Sequence, residues 1–359
     1  MHPARLVIEC GRCRDDEYAA LVGALDAEFI TGRERGVSLA ARFPHALNPA
    51  ALAQLQVARI DGAIAACMVA RQFALPVLEE YPGAHPVSSP PHPSPLPQGE
   101  REQRAAVRIG GSKLFPLPLR ERVRVVRGKE SVASPSEAAA DGTTVRAAMI
   151  GMVYTAPHAR GQGLATRLLA ATTQALQSEG VDVAVLWSGL QGYYETRGWL
   201  KYDCGMLGTV SVSRTRSRIA TAESAAPTDP RVASLYATHQ REGIARSGAA
   251  WSAVPLPADT THCFITANAY ALYGRERERV FLYEMLGDAQ EFSQLWSALA
   301  ATAPTIYINA CRDSAAYQWL SSETAVTWCT QDLAFWRALT SRVSAADFAQ
   351  MYVPYFDRI

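Results

Sequence analysis

The sequence predicts a mixed α/β protein with two cores and a low-complexity insertion in the first of them. Three observations predict it. The length of 359 residues suits about two domains at roughly 150 residues each. Short apolar runs of strand length alternate with longer segments of helical period. Residues 76–142 break both patterns, with a proline-dense run from Pro86 to Pro97 followed by arginine-rich stretches of no period. The expected organisation is therefore a first domain over 1–205, interrupted by the Pro/Arg-rich insertion, and a second, smaller α/β domain over 206–359.

Each element has its own signal. Leu6 to Glu9 reads as a short strand. Asp15 to Phe29 reads as an amphipathic helix, because Ala19, Leu21, Val22, Leu25 and Phe29 recur at helical spacing, and Asp15 and Asp16 suit the positive end of its dipole. Leu55 to Ile60 and Ala63 to Phe73 form a hairpin around Asp61-Gly62, a strong two-residue turn signal. Within the insertion, Pro-Leu-Pro-Gln-Gly-Glu-Arg-Glu at 95–102 resembles Pro-Leu-Pro-Leu-Arg-Glu-Arg-Val at 116–123, a low-complexity repeat tolerated as a lengthened loop. Periodicity returns with a buried strand over Val145 to Tyr154 and a helix over Gly163 to Glu179 that Gly180 caps. Val181 to Trp187 is a further buried strand, Leu190 to Thr196 a short helix and Trp199 to Tyr202 a last strand. The second half reads as a hairpin of Cys263 to Tyr273 and Arg279 to Met285 around Gly274, a helix over Asp288 to Ala300 and a strand over Thr305 to Ala310.

Composition excludes several classes. With 48% hydrophobic residues, 19% charged residues and a net charge of +1, nothing steers the chain to nucleic acid. The longest apolar stretches, such as Ala63 to Ala70, fall far short of the ~20 residues that span a bilayer, so no membrane role is expected. Seven scattered cysteines fit a reducing cytoplasm better than a disulfide framework. The pair in Cys10-Gly11-Arg12-Cys13 has metal-ligand spacing but no second pair follows it, and no metal site is expected.

The chemistry concentrates at Thr155-Ala-Pro-His-Ala-Arg-Gly-Gln-Gly-Leu-Ala165. Here a strand runs into a glycine-bearing loop that opens directly into a helix, so successive N–H groups and the helix dipole converge on one point. Gly161 and Gly163 would let the chain approach a phosphate without a Cβ in the way. Such a loop is weak evidence alone, and its surroundings decide it. Arg160-Gly161-Gln162-Gly163-Leu164-Ala165 fits the (Arg/Gln)-x-x-Gly-x-(Gly/Ala) pyrophosphate loop of the GNAT superfamily of acyl-CoA N-acyltransferases at every defined position. Tyr194-Glu195-Thr196-Arg197-Gly198-Trp199 resembles the family's Tyr-Glu-x-x-Gly-Phe segment, with Trp for Phe. Together the motifs cover about 60 residues, and the element order extends the resemblance over most of 1–205.

The resemblance implies a GNAT-like mixed sheet and an acetyltransferase that uses acetyl-CoA and no metal, in which a small-molecule or peptide amine attacks the thioester directly. It implies that amides of Gly161, Gln162, Gly163, Leu164 and Ala165, with Arg160, hold the pyrophosphate. Main-chain groups of Met152, Val153 and Tyr154, beside a splayed partner strand running to Ser188, would pair with the pantetheine arm. Tyr194 would be the general acid that protonates the leaving thiolate, with Tyr193 and His158 read as packing and loop residues. The family often places an acidic base before the loop, and Ala147 to Tyr154 contains none. Asp26, Glu28, Asp203 and the carboxyl of Ile359 stay open as candidates. The segment Phe281 to Asp288 resembles the second half of two-domain bacterial GNAT proteins, a degenerate acetyltransferase-like fold, and without a pyrophosphate loop it is expected not to bind CoA. The competing function is a non-catalytic acyl-CoA-binding regulator whose inserted loop blocks the site.

Overall fold

The computed structural model describes residues 7–76, 124–125, 144–190, 192–212, 222–239, 244, 246, 251 and 254–359. The first sheet begins with β1 (Ile8–Arg12), followed by α1 (Tyr18–Phe29) and the single turn α2 (Leu39–Arg42). Next comes the hairpin of β2 (Leu55–Ile60) and β3 (Ala63–Pro76). Its turn has Asp61 at φ 48° and Gly62 at φ 87°, the two positive values that a type I′ turn requires. After β3 comes β4 (Arg124–Val125), paired with β1. The rest of the 76–142 insertion beyond Pro76 falls outside the described residues. β5 (Thr144–Thr155) returns antiparallel to β3, and α3 (Leu164–Ser178) then crosses over to β6 (Val183–Trp187), parallel to β5. Gly180 ends α3 at φ 77°, with the Val181 amide donating to the Leu176 carbonyl, the glycine-dependent stop expected there.

Two more strands, β7 (Leu200–Lys201) and, far along the chain, β15 (Ala334–Ala338), complete this sheet of eight, in the order β4-β1-β2-β3-β5-β6-β15-β7. Even-numbered β3 residues Ala66, Met68 and Ala70 face the cluster under α3, whereas Cys67 and Val69 face α1 and α2. That alternation is the period-two signature of a strand buried on both faces.

A second sheet of seven strands repeats the plan. Its strands are β8 (Gly205–Ser211), β9 (Glu223–Ala225), β10 (Thr260–Ile265), β11 (Ala269–Glu276), β12 (Arg279–Gly287), β13 (Thr305–Cys311) and β14 (Thr327–Thr330). They lie in the order β14-β8-β13-β12-β11-β10-β9. As β1, β2, β3 and β5 pair antiparallel before the parallel step to β6, so β9, β10, β11 and β12 pair antiparallel before the parallel step to β13. α4 (Pro230–His239) takes the place of α1, and α5 (Phe292–Ala300) that of α3, with α6 (Ala315–Glu323) after β13. The two repeats trade a strand: β15 lies between β6 and β7 of the first sheet, and β8 lies between β13 and β14 of the second. Both sheets belong to one compact unit.

Three expected elements differ. The hairpin turn placed at Gly274 falls instead at Arg277-Glu278, between β11 and β12, while Cys263 to Tyr273 is itself divided between β10 and β11. Gly274 sits inside β11, where a Cβ would collide with the Tyr283 hydroxyl; it serves close packing, not a turn. The helix expected over Leu190 to Thr196 is only the 3-10 turn Glu195–Arg197. The strand expected at Leu6 to Glu9 is described at Ile8–Arg12.

Candidate functional site

The site is built where β5 loses its second neighbour. Ala147, Ala148 and Met149 pair with Val183, Ala184 and Val185 of β6, and there the ladder stops although both strands continue. From Ile150 onward β5 keeps β3 on one edge and leaves main-chain groups free on the other. Gly151 to Thr155 are accordingly half-buried, in contrast to the buried Ala147 to Ile150. Within this opening the β3 register slips: Val69 faces Gly151 and Cys67 faces Tyr154, so Met152 and Val153 together face Met68 alone. Met152 takes φ 50°, a left-handed conformation that an unbranched side chain adopts at a cost. The result is a β-bulge that bends the strand and re-aims its amides, at the point where β6 has turned away.

β5 leads through the 3-10 turn Pro157–Ala159 to the glycine loop. Gly161 and Gly163 have φ of 80° and 74°, and a Cβ at either would meet nothing within 4 Å. They are glycine for backbone conformation and for open space above them. Gly163 caps α3, whose first turn, like every helix start, leaves its N–H groups without intrahelical acceptors. Among the described residues no acceptor is assigned to the amides of Gly161, Gln162, Gly163, Leu164 and Ala165, so five donors lie free at the positive end of the helix dipole. Gln162 folds back, its Nε2 donating to the His158 carbonyl at 3.3 Å. Arg160 turns away from these amides: its Nε donates to the Thr155 carbonyl at 3.0 Å and its guanidinium pairs with Glu28 at 3.1 Å, both side chains exposed.

Tyr194 lies under the bulge, in the same apolar cluster as Ala159, Leu164, Leu186 and the partly buried Val153 and Tyr154. Its ring stacks edge-on to Tyr193 at 4.9 Å and Trp199 at 6.3 Å. Only 6% of its surface is exposed. Burial above all, then the neighbouring Tyr193, raises its pKa, against an opposing hydrogen bond with Ser188. The phenol is therefore held as the neutral donor. Ser188, at the end of β6, is fixed by its amide donating to the Leu333 carbonyl at 2.9 Å, and its Oγ also accepts from the Leu190 amide at 3.1 Å. Tyr193 points elsewhere: its hydroxyl and that of Thr166 in the first turn of α3 are hydrogen-bonded at 3.0 Å, and the Arg197 guanidinium lies 3.9 Å over its ring. The structure thus joins Tyr194, Ser188 and the bulge, and separates Tyr193 from them.

Residues 130–201 match the family model for the acetyltransferase (GNAT) domain. Over that stretch the chain is similar to GNAT acetyltransferase domains. A GCN5-related N-acetyltransferase from Kribbella flavida aligns over 93% of this chain and 71% of its own, with a TM-score of 0.59 and 10% identity. One from Anabaena variabilis aligns over 93% and 73%, with a TM-score of 0.60 and 13% identity. At these identities the likeness is one of fold, and it extends across both sheets. No curated protein matches the sequence.

The four candidate bases separate. The Asp26 carboxylate accepts from the Leu39 amide at 2.7 Å, Asp203 from the amides of Gly205, Leu333 and Ala334, and Glu28 holds Arg160 at the surface. These three have structural partners away from the bulge. Ile359 alone packs against it, in the clusters that contain Met149 and Met152. Its amide donates to Met149 Sδ at 3.2 Å, and a Cβ on Gly151 would run into its main-chain oxygen. The segment ahead of Ile359 is anchored by Arg246, whose guanidinium is shared between Asp357 at 2.7 Å and Glu284 of the second sheet at 2.7 Å, all three side chains at most 10% exposed. Sequence reasoning missed Gly151, Arg71 and Arg246; only Gly151 had a signal available, as an isolated glycine inside a strand pattern. Cys10 and Cys13 are both buried, and burial followed by Glu17 pushes the Cys13 thiol up to about 11; burial likewise raises Cys10, so neither is a thiolate at neutral pH.

Proposed function

We propose that the protein transfers the acetyl group of acetyl-CoA to a primary amine of a small molecule or peptide, by direct attack within a ternary complex. The observation that carries this reading is the coincidence of the Met152–Val153 bulge with the end of β5–β6 pairing, one loop away from five unpartnered amides. An extended amide-bearing arm laid on the free edge would complete the ladder, with Met152, Val153 and Tyr154 offering main-chain partners. The amides of Gly161 to Ala165 suit a pyrophosphate, because they lie at a helix N-terminus and glycine leaves the approach clear. Arg160 is assigned to the same group, since an exposed pair such as the one it makes with Glu28 is worth at most about 1 kcal/mol and yields easily to phosphate.

Acetyl-CoA supplies an activated carbonyl whose carbon forms a bond to the amine nitrogen as its bond to sulfur breaks. The bulge turns backbone N–H groups toward the carbonyl oxygen, where developing negative charge is best stabilised. Tyr194 gives its proton to the departing sulfur, and Ser188 orients the phenol for that transfer. The nitrogen loses a proton to water, from which the Tyr194 phenolate recovers one, and the products are an N-acetyl amine and the free thiol. The second repeat has no such loop: Asp288 caps the start of its helix by accepting from the Gln290 amide, and Glu291 holds Asn268. Carboxylates in those places oppose an anion, so the reading gives the cofactor to the first repeat alone.

The test is thiol release from acetyl-CoA with a panel of primary amines, together with the mass of the acetylated product. Amine-dependent release supports the enzyme. Calorimetric binding of CoA with no release on any amine would leave a non-catalytic acyl-CoA-binding protein in its place.

A further inference from the structure

Among the described residues Arg71 is a cation without a paired counterion. It follows Val69 on β3, and the period of the strand puts it on the same face as Cys67 and Val69, toward α1, α2 and the C-terminal segment. Its cross-strand partner is Met149, two positions before the Gly151 that faces Val69. The bulge therefore lies roughly 7 to 10 Å further along the sheet, at about 3.3 Å per residue. Among the described residues Arg71 is in no ion pair, and its guanidinium makes one hydrogen bond, from Nη1 to the main-chain oxygen of Asp357 at 3.2 Å. The Asp357 carboxylate, whose charge acts on Arg71, is already committed to Arg246, which it meets at 2.7 and 2.9 Å.

Burial is the largest cause lowering the Arg71 pKa, and Arg246 adds to it against the attraction of Asp357. A guanidinium keeps its charge even so. His45, in the turn after α2, lies in the same neighbourhood: its Nε2 is buried without a partner, and burial followed by Arg71 lowers its pKa to about 3. It is therefore neutral and can donate or accept. Arg71 itself is half-buried rather than sealed. A charged fork with unused donors thus lies on the bulge's side of β3, where Asp357 is committed to Arg246.

We infer that Arg71 binds the anionic group of the acceptor, so that the substrate is a primary amine carrying a carboxylate or phosphate a few bonds from the nitrogen. The inference rests on the acetyl-transfer reading for the word acceptor, but the anion site itself does not. Planar, bidentate pairing with an oxyanion is what arginine does better than lysine. Such pairing would hold the amine end toward Met152 and Val153 while the other end stays on β3. It would also reject neutral amines of the same shape, because they leave the guanidinium desolvated and unpaired.

The experiment has a binding arm and a turnover arm, on the full chain loaded with CoA for the first and acetyl-CoA for the second. Calorimetry with N-acetylglycine and with inorganic phosphate distinguishes the carboxylate and phosphate sources. One of them should bind saturably to the parent, at least about tenfold more weakly to Arg71→Gln, and with an intermediate loss to Arg71→Lys. Thiol release is then compared for glycine against glycinamide and for O-phosphoethanolamine against ethanolamine. The anionic member of a pair should show at least about tenfold higher kcat/KM, and Arg71→Gln should erase that preference while CoA affinity stays constant. Binding of neither anion, or a preference unchanged in Arg71→Gln, overturns the inference. Anion binding that depends on Arg71 without thiol release on any amine would sink acetyl transfer and leave the anion site standing.

Discussion

Replacing Tyr194 by Phe removes one hydroxyl and keeps a ring that packs on Tyr193, Trp199 and Phe335. The hydroxyl's partner, Ser188, keeps its second bond from the Leu190 amide, so no buried group is orphaned. The folding cost should be that of one neutral hydrogen bond, about 0.5–1.5 kcal/mol. Tyr193→Phe supplies a matched control, since it also deletes one bonded hydroxyl, the one paired with Thr166 at 3.0 Å, and should cost a similar amount. The two variants part only in turnover. With general acid catalysis worth roughly 10²- to 10⁴-fold and water able to substitute in part, kcat for Tyr194→Phe should fall at least about tenfold. KM for acetyl-CoA should hold, and kcat for Tyr193→Phe should stay within about twofold. Urea denaturation of both variants and steady-state thiol release on one verified amine make the comparison. Equal kcat for parent and Tyr194→Phe, or equal losses for both tyrosines, would refute the role given to Tyr194.

Gly163→Asp should abolish CoA binding in calorimetry with the fold retained, because it sets a carboxylate at the helix start and a Cβ on a residue at φ 74°; undiminished affinity would take the loop out of the site. Gly151→Ala drives a Cβ into the Ile359 main-chain oxygen and should cost about 1–3 kcal/mol as overpacking, visible as a lower denaturation midpoint at constant m-value. Arg246→Met leaves Asp357 and Glu284 buried without their cation and should cost about 3–5 kcal/mol; a loss under about 1 kcal/mol would mean the segment is held by other contacts. Burial keeps His45 neutral down to about pH 3, whereas in the unfolded chain it takes a proton near 6.5. Stability present in full above that value should therefore fall as pH drops from about 6.5 toward 3, and a His45→Gln variant with the same pH slope in denaturation would remove His45 as the cause.

What could be read from the sequence was local. The Asp61-Gly62 turn, the Gly180 stop and the Gly161 and Gly163 loop each depend on residues within a few positions, and in each the required φ selects glycine or aspartate almost alone. Tyr194 was legible for a similar reason, since its flanking segment lies close to it in the chain. The bulge residue Met152 carries no such mark; its positive φ is imposed by the register between β3 and β5. Gly274 shows the converse error, a glycine that looked like a turn but answers to Tyr283 on the neighbouring strand. The surroundings of Arg71 were not legible at all, because Arg71 and Asp357 are 286 positions apart and only the sheet brings them together. The absence of an acidic residue on β5 was visible in the sequence, but which of the four candidates packs against the bulge was settled only by the long-range fold.

The traded strands have a consequence for how the molecule is made. Until Ala334–Ala338 leaves the ribosome, β6 has no antiparallel neighbour, and the apolar edge of Val183 to Leu186 must wait through more than a hundred further codons. Pairings of such long sequence separation form slowly, so that edge of the nascent first repeat stays exposed until β15 has been made. A gene fragment ending after β7 would encode every residue of the glycine loop and Tyr194, yet its product would lack the strand that closes the sheet beside them.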